Sequence, residues 1–233
     1  MISIGFPLTA TVPVHAITQH KAVIISPLEA YVPMTYSARV QTLLTTAGYQ
    51  VTYVTNTAVT IDFLLNHLND YEVVLWRSNV YQWAHQLYWY VGETNNPTTA
   101  QKYASDFAAG SLDNHNGILG MSVAFVSKHF TTGQLNNVKL IMLISSESEQ
   151  FAYIILSAGA KAVVYSYGYF SLTWGNMDYV TQQLTEYLSL GRNVGTAVST
   201  TVLPYLTMQP RDELDSVFFP TLWYMGDATL TIR

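Results

Sequence analysis

The side chains best suited to chemistry gather at one corner, where the apolar run Val138 to Ile144 ends in Ser145 and Ser146, with Glu147 and Glu149 beside them. In an open parallel sheet, ligands and reacting groups collect just beyond the carboxyl ends of the strands, and this corner occupies such an end. A serine hydroxyl attacks only when a base takes its proton. Six histidines leave room for one, and Ser145 with His85, oriented by Glu29, is one arrangement; His129 lies on the segment before the corner. The same serines also have a purely structural reading. Ser146 followed by Glu149 is a capping box, in which hydroxyl and carboxylate satisfy backbone amides at a helix start, worth about 1 kcal/mol.

Arg77 is the only charged residue between Val73 and Ala84 and falls where a strand should end. A guanidinium there suits a carboxylate ligand or product. It suits equally an internal partner such as Glu29, or stacking on Trp76, Tyr81 or Trp83. The aromatics Trp76, Tyr81, Trp83, Tyr88, Trp89 and Tyr90 alternate along what reads as a ribbon, so about half should face the core and half remain outside.

No metal site or cofactor is expected. The chain has no cysteine, which removes thiolate ligands, thiol nucleophiles and disulfides. No HExxH occurs, His15 and His20 lack a nearby carboxylate, and DNHNG at Asp113 to Gly117 lacks the ligand pattern of a calcium loop. Phosphate loops of the GxGxxG and GxxxxGK types and the GxSxG elbow are also missing.

The elements that must position these residues follow from periodicity. Short apolar runs at 21–26, 51–55, 71–76, 138–144 and 162–165 read as buried strands, and they alternate with segments of helical spacing. Helices are expected over 36–47, 61–68, 97–110, 123–130, about 147–158, 177–190 and 194–203, several closed by glycine (Gly48, Gly110, Gly191) and the last by Pro204. Asn96, Asn176 and Asn193 are placed to cap. Residues 80–92 form the ribbon, expected at the sheet edge, and 217–219 and 228–232 suggest short closing strands. The fold class is therefore α/β, three-layer αβα, with a mainly parallel sheet. The organisation is an extended arm over 1–20 followed by one domain over 21–233.

Of 233 residues, 49% are hydrophobic and 11% charged, about half the usual share of charge. Net charge is −5, and the ten lysines and arginines form no run, which argues against a nucleic-acid partner. Weak dependence of surface charge on pH suggests an acidic or extracellular setting. No signal-peptide pattern precedes Lys21, and no stretch approaches the roughly 18 apolar residues of a membrane helix.

Four pieces in order resemble the caspase-like fold of the gingipain-type cysteine peptidases: KAVIISP at Lys21 to Pro27, LWRSN at Leu75 to Asn79, SAGAKAVV at Ser157 to Val164, and MGDATLTI at Met225 to Ile232. The resemblance implies that Asn79 stands at the family's histidine position and Ser145 or Ser146 at its cysteine position. Both halves of the dyad would then be replaced, and asparagine cannot serve as a base. The expected function is a non-catalytic, peptidase-derived module acting in binding or assembly, with Glu29, Arg77, His85 and Ser146 as binding residues and a protein partner or a second copy as its target. Two rivals stand beside it: a hydrolase using Ser145 or Ser146, and a carbohydrate- or protein-binding surface built on the aromatics of 76–90.

Overall fold

The computed structural model describes residues 19–167, 174–208 and 221–233. Along the chain, β1 (His20–Ser26), α1 (Ser37–Thr46), β2 (Tyr49–Thr55), α2 (Ile61–Asn66) and β3 (Val73–Arg77) are followed by the hairpin β4 (Val80–Trp83) and β5 (Gln86–Thr94). Next come α3 (Pro97–Lys102), α4 (Ala104–Ala108), β6 (Leu112–His115), β7 (Ile118–Ser122) and α5 (Val123–His129). The chain then runs through β8 (Leu140–Ile144), α6 (Glu149–Ser157), β9 (Ala162–Tyr167), α7 (Trp174–Ser189), α8 (Val194–Met208) and β10 (Thr221–Gly226).

Two sheets result. The larger has the order β10-β9-β8-β3-β1-β2, parallel throughout except for the antiparallel edge strand β10. Its central strands are apolar on both faces because both faces are covered. On one side Val40 and Leu44 of α1, Val180, Leu184 and Leu188 of α7 and Ala197 of α8 pack against Ala22, Ile24, Val73, Leu75, Leu140 and Met142. On the other, Ile61 and Leu64 of α2, Phe125 of α5 and Phe151 and Ile155 of α6 pack against Val23, Ile25, Val74, Trp76, Ile141 and Leu143. Each of the valine, leucine, isoleucine, methionine and phenylalanine side chains among them, once buried, contributes about 1.5–3 kcal/mol.

The second sheet is antiparallel, in the order β4-β5-β7-β6. The expected ribbon is thus no appendage of the parallel sheet: it pairs with β7, and the two strands send Trp89 and Val91, and Leu119 and Met121, into the same core as α5 and α6. The joint between sheets is Trp89, whose ring stacks on Trp76 at 4.7 Å and meets Phe151 at 4.8 Å.

Several boundaries differ from the expected ones. The helix expected over 97–110 breaks at Tyr103, which leaves helical geometry (φ −109°, ψ 24°) while its ring is buried. Helix α8 continues through Pro204, since proline removes one donor without forbidding the turns after it. Residues 228–232 form no strand; Asp227 Oδ1 instead accepts from the Thr229 amide and hydroxyl in a turn. Asn96 and Asn193 cap as expected, accepting from Thr98 and Thr99 and from Thr196. Most of the arm at 1–20, the strand at 217–219 and the Asn176 side chain lie outside the described residues. Among the described residues, no helix is long and apolar enough to cross a membrane.

The short helix α4 is tied to α5 by charge. Buried Asp106 Oδ1 contacts Lys128 Nζ at 2.8 Å and His129 Nε2 at 3.2 Å, and accepts from the Ser111 hydroxyl. Burial pushes this carboxyl up, but Lys128, His129 and Ser111 outweigh it and hold it below its ordinary value. A depressed folded-state pKa gives stability that is present above the unfolded value and lost as pH falls through the folded one. Asp106→Asn should therefore cost about 2 kcal/mol at pH 7. The gap to the unmodified protein should close below about pH 4 in urea unfolding curves; a gap unchanged at pH 2.5 would contradict this.

Candidate functional site

The carboxyl edge of the parallel sheet is where chemistry was expected, and the structure fills it with the protein's own side chains. Strand β1 leads to β2 on one side and β3 leads to β8 on the other, so the crevice of an open α/β sheet falls between the ends of β1 and β3. Ser26 and Arg77 occupy those ends, both buried. Arg77 Nε donates to Asp178 Oδ1 at 2.6 Å and Nη2 to Oδ2 at 3.2 Å, a two-pronged pair with an aspartate in the second turn of α7. Its Nη1 donates to the Val32 carbonyl at 3.0 Å and to Ser26 Oγ at 3.4 Å.

The loop between β1 and α1 closes over this pair. The Thr35 amide donates to Asp178 Oδ2, while Glu29 accepts from the Ser26 hydroxyl at 2.7 Å and from the Met34 amide at 3.0 Å. Burial raises the Asp178 carboxyl against the pull of Arg77, and burial followed by the Glu29 carboxylate raises the Tyr53 phenol. Arg77 thus has an internal partner, and it is Asp178, not Glu29. Sequence reasoning missed this aspartate, yet it is the only charge between Lys161 and Glu186, as Arg77 is the only one between Glu72 and Glu93. Two lone charges of opposite sign in uncharged runs are the signal that pairs them.

The serine corner is also structural. Ser145 is fully buried, and among the described residues its hydroxyl has no hydrogen-bond partner, imidazole included. The capping box is absent because α6 starts two residues late for it: Ser148 stands at the N-cap without a side-chain cap bond, and Glu147 takes a left-handed φ of 52°. The Ser148 hydroxyl turns instead to the two strands, donating toward the Ser145 and Ser166 carbonyls at 3.1 Å and accepting from the Ser166 amide at 2.9 Å. Asn79 serves the turn between the sheets, with Oδ1 accepting from the Val80 amide and its carbonyl from the Tyr90 amide. Among the described residues no hydrogen bond joins Asn79, Ser145, Ser146, His85 or Glu29 to one another.

An open groove lies elsewhere, between the β4–β5 hairpin and helices α5 and α6, with a volume of about 820 Å³. Polar side chains Gln82, Gln86, Gln150, Ser127 and His85 line it with the phenol of Tyr153. Leu87, Val123 and Ile154 supply apolar wall. A second recess of about 290 Å³ shares Ser127, Tyr153 and Ile154, so the depression runs on along the helices. Among the described residues, no Asp, Glu, Lys or Arg lines either. His85, of the residues expected to bind, is the one that reaches this groove.

His85 is held there at a conformational cost. Strands β4 and β5 are joined by Ala84 and His85 alone, with φ of 47° and 64°. Two positive φ values in a two-residue hairpin loop define the turn that asparagine and glycine ordinarily fill. Non-glycine residues in that region store about 1 kcal/mol or more each.

No family model matches the chain, and no curated protein matches it. Among solved structures it is similar to two crystal forms of a Bacteroides thetaiotaomicron protein assigned by inference as a phosphomethylpyrimidine kinase. The rhombohedral form matches with a TM-score of 0.36 at 11% identity, over 91% of this chain and all of that one. The orthorhombic form, which contains pyridoxal, matches with 0.33 at 11% over 89% and 100%. Neither is a caspase-like peptidase, and at such scores the likeness carries no functional argument.

The resemblance to gingipain-type peptidases is accordingly withdrawn, and with it the peptidase-derived, non-catalytic module and both of its rivals. The physical reason lies in the four pieces. KAVIISP and GAKAVV are what any parallel strand buried on both faces looks like. LWRSN ends in an arginine clamp and a turn asparagine, and MGDATLTI is the end of a strand and a turn. For the serine hydrolase, Ser145 lacks any base in contact; for the aromatic surface, Trp76 and Trp89 are wholly inside the core.

Proposed function

We propose that this chain is a single three-layer αβα domain that binds a small neutral ligand with both apolar and hydrogen-bonding parts, in the groove between the β4–β5 hairpin and helices α5 and α6. The observation that carries the reading is a groove without formal charge beside a strained histidine. Its volume is in the range of small-molecule sites, which pair apolar wall with a few polar groups that fix orientation. Gln86 and Gln150 offer donors and acceptors together, which suits an uncharged partner better than an ion. A hairpin that keeps Ala84 and His85 where asparagine and glycine would be relaxed spends stability on an imidazole at the groove. Glu29 and Arg77 belong to the scaffold in this reading, and Ser146 to the corner above it.

The test exploits the strain. The variant Ala84→Asn with His85→Gly should melt about 2–4 °C higher, the equivalent of about 1 kcal/mol for a chain of this size. It should at the same time lose saturation-transfer NMR signals given by a panel of neutral fragments to the unmodified protein. Fragment signals that persist in the variant, or that never appear with the unmodified protein, would remove the proposal.

A further inference from the structure

The amino edge of the parallel sheet carries an arrangement that spacing along the chain does not reveal. The register aligns Lys21 of β1 with Glu72 at the start of β3, Glu72 with Lys139 before β8, and Lys139 with Lys161 before β9. Backbone bonds continue the ladder through these positions: the Glu72 amide donates to the Lys21 carbonyl at 2.9 Å, that of Lys139 to the Glu72 carbonyl at 2.8 Å, and that of Ala162 to the Lys139 carbonyl at 3.0 Å. The residues that follow, Ala22, Val73, Leu140 and Ala162, all face one core, so the four charged side chains project toward the opposite face. Three of the chain's five lysines stand in this row, in a protein of net charge −5.

The single carboxylate of the row is already answered. Glu72 Oε1 lies 2.7 Å from His20 Nδ1 and Oε2 lies 2.8 Å from Lys139 Nζ. Burial raises this carboxyl, but its two partners outweigh that and hold it below the usual range. Asp70, which with Glu72 lines the recess at this edge, contacts His67 Nδ1 at 3.1 Å. Lys21 and Lys161, at the two ends, have no carboxylate partner among the described residues. Between them opens a recess of about 740 Å³ lined also by the amides of Asn69, Asn136 and Asn137.

We propose that this recess is a site for a small ligand carrying at least two oxyanion groups, held between Lys21 and Lys161 with Lys139 beneath it. The two outer lysines stand three strand spacings apart, about 14 Å between Cα atoms. Their flexible stems lean inward to meet the two ends of a short polyanion, whereas one compact anion engages both only when both stems lie fully extended toward each other. The asparagine amides donate to the oxygens between. The site is independent of the neutral groove, from which it shares no lining residue.

Calorimetric titration of the full chain at low ionic strength tests this with inorganic tripolyphosphate and with citrate, the two arms separating phosphate from carboxylate chemistry. At least one should bind, more tightly than inorganic monophosphate and more weakly as salt rises. Lys21→Gln and Lys161→Gln should each weaken it roughly two- to fivefold, without altering the melting temperature by more than a degree or so. Lys102→Gln, on an exposed lysine paired with Asp62 outside the recess, should leave it unchanged. Absence of binding in both arms, equal affinity for monophosphate, or an affinity unaffected in the Lys21→Gln, Lys161→Gln double variant would each overturn the assignment.

Discussion

Arg77→Met should destabilise the protein by about 3–5 kcal/mol, the largest loss expected from any single polar substitution in the chain. The guanidinium and the Asp178 carboxylate are both sealed from water, with side chains 1% and 0% exposed. Removing one leaves the other as an uncompensated charge in a low-dielectric interior, and it also strips donors from the Val32 carbonyl and Ser26. The remaining carboxylate responds by taking a proton. Burial already pushes Asp178 upward, and without Arg77 nothing in the pair opposes it. A folded-state pKa raised above the unfolded value stabilises below the unfolded pKa and loses that contribution as pH rises through the folded one. The variant should therefore be least impaired in acid and most impaired at neutral pH, which denaturant curves at pH 4 and pH 7 will show. The double variant Arg77→Met, Asp178→Leu should recover most of the loss, because replacing a buried ion pair with apolar groups of similar size is often close to neutral. A single variant as stable as the unmodified protein at pH 7 would mean that the pair does not hold the loop of residues 27–36 and α7 to the sheet.

That pair also marks where the sequence stops being readable. The strands KAVIIS, YEVVLW and VKLIMLIS stand out because central parallel strands are apolar on both faces, and the helices between them end at glycines that do take positive φ, such as Gly48 at 98° and Gly110 at 67°. Those features are local, set within a few residues. The site features are not. Asp178 lies 101 residues from Arg77, and the lysine row exists only once strand register is known, since Lys21, Lys139 and Lys161 are separated by more than a hundred residues in all. The serine corner fails for a subtler reason. Ser146 and Glu149 have the spacing of a capping box, but Ser148 gains more by bridging β8 and β9 than by capping, and the helix start moves with it. A local motif competes with tertiary hydrogen bonds, and spacing alone does not reveal the winner. The groove escaped notice because its lining comes together from β4, β5, α5 and α6 only in the fold, and the positive φ of His85 is a quantity that composition does not carry.

Trp89→Ala should cost about 3–5 kcal/mol, and its effect should concentrate on the antiparallel sheet. The indole is wholly buried, sandwiched between Trp76 of β3 and Phe151 of α6, and so joins the second sheet to the first and to the helix that forms one wall of the groove. Truncation removes the ring's own burial and leaves a cavity that β3, fixed on both sides by β1 and β8, is not free to fill. The local consequence follows from topology. Strand β5 is paired on its flanks by β4 and β7 alone, and it is tied to the segments around the parallel sheet by single bonds: the Tyr90 amide to the Asn79 carbonyl, the Ser78 hydroxyl to the Tyr90 carbonyl, the Gly92 amide to the Val59 carbonyl and the Ile61 amide to the Glu93 carboxylate. Amide exchange in β4, β5 and β7 should then accelerate by orders of magnitude more than in β1 and β8, since regions of low local stability open separately from the global core. Loss of the near-ultraviolet band from the stacked indoles gives an independent readout. Uniform acceleration across both sheets would show instead that they unfold as one cooperative unit, with the tryptophan stack contributing to the whole and not to the joint.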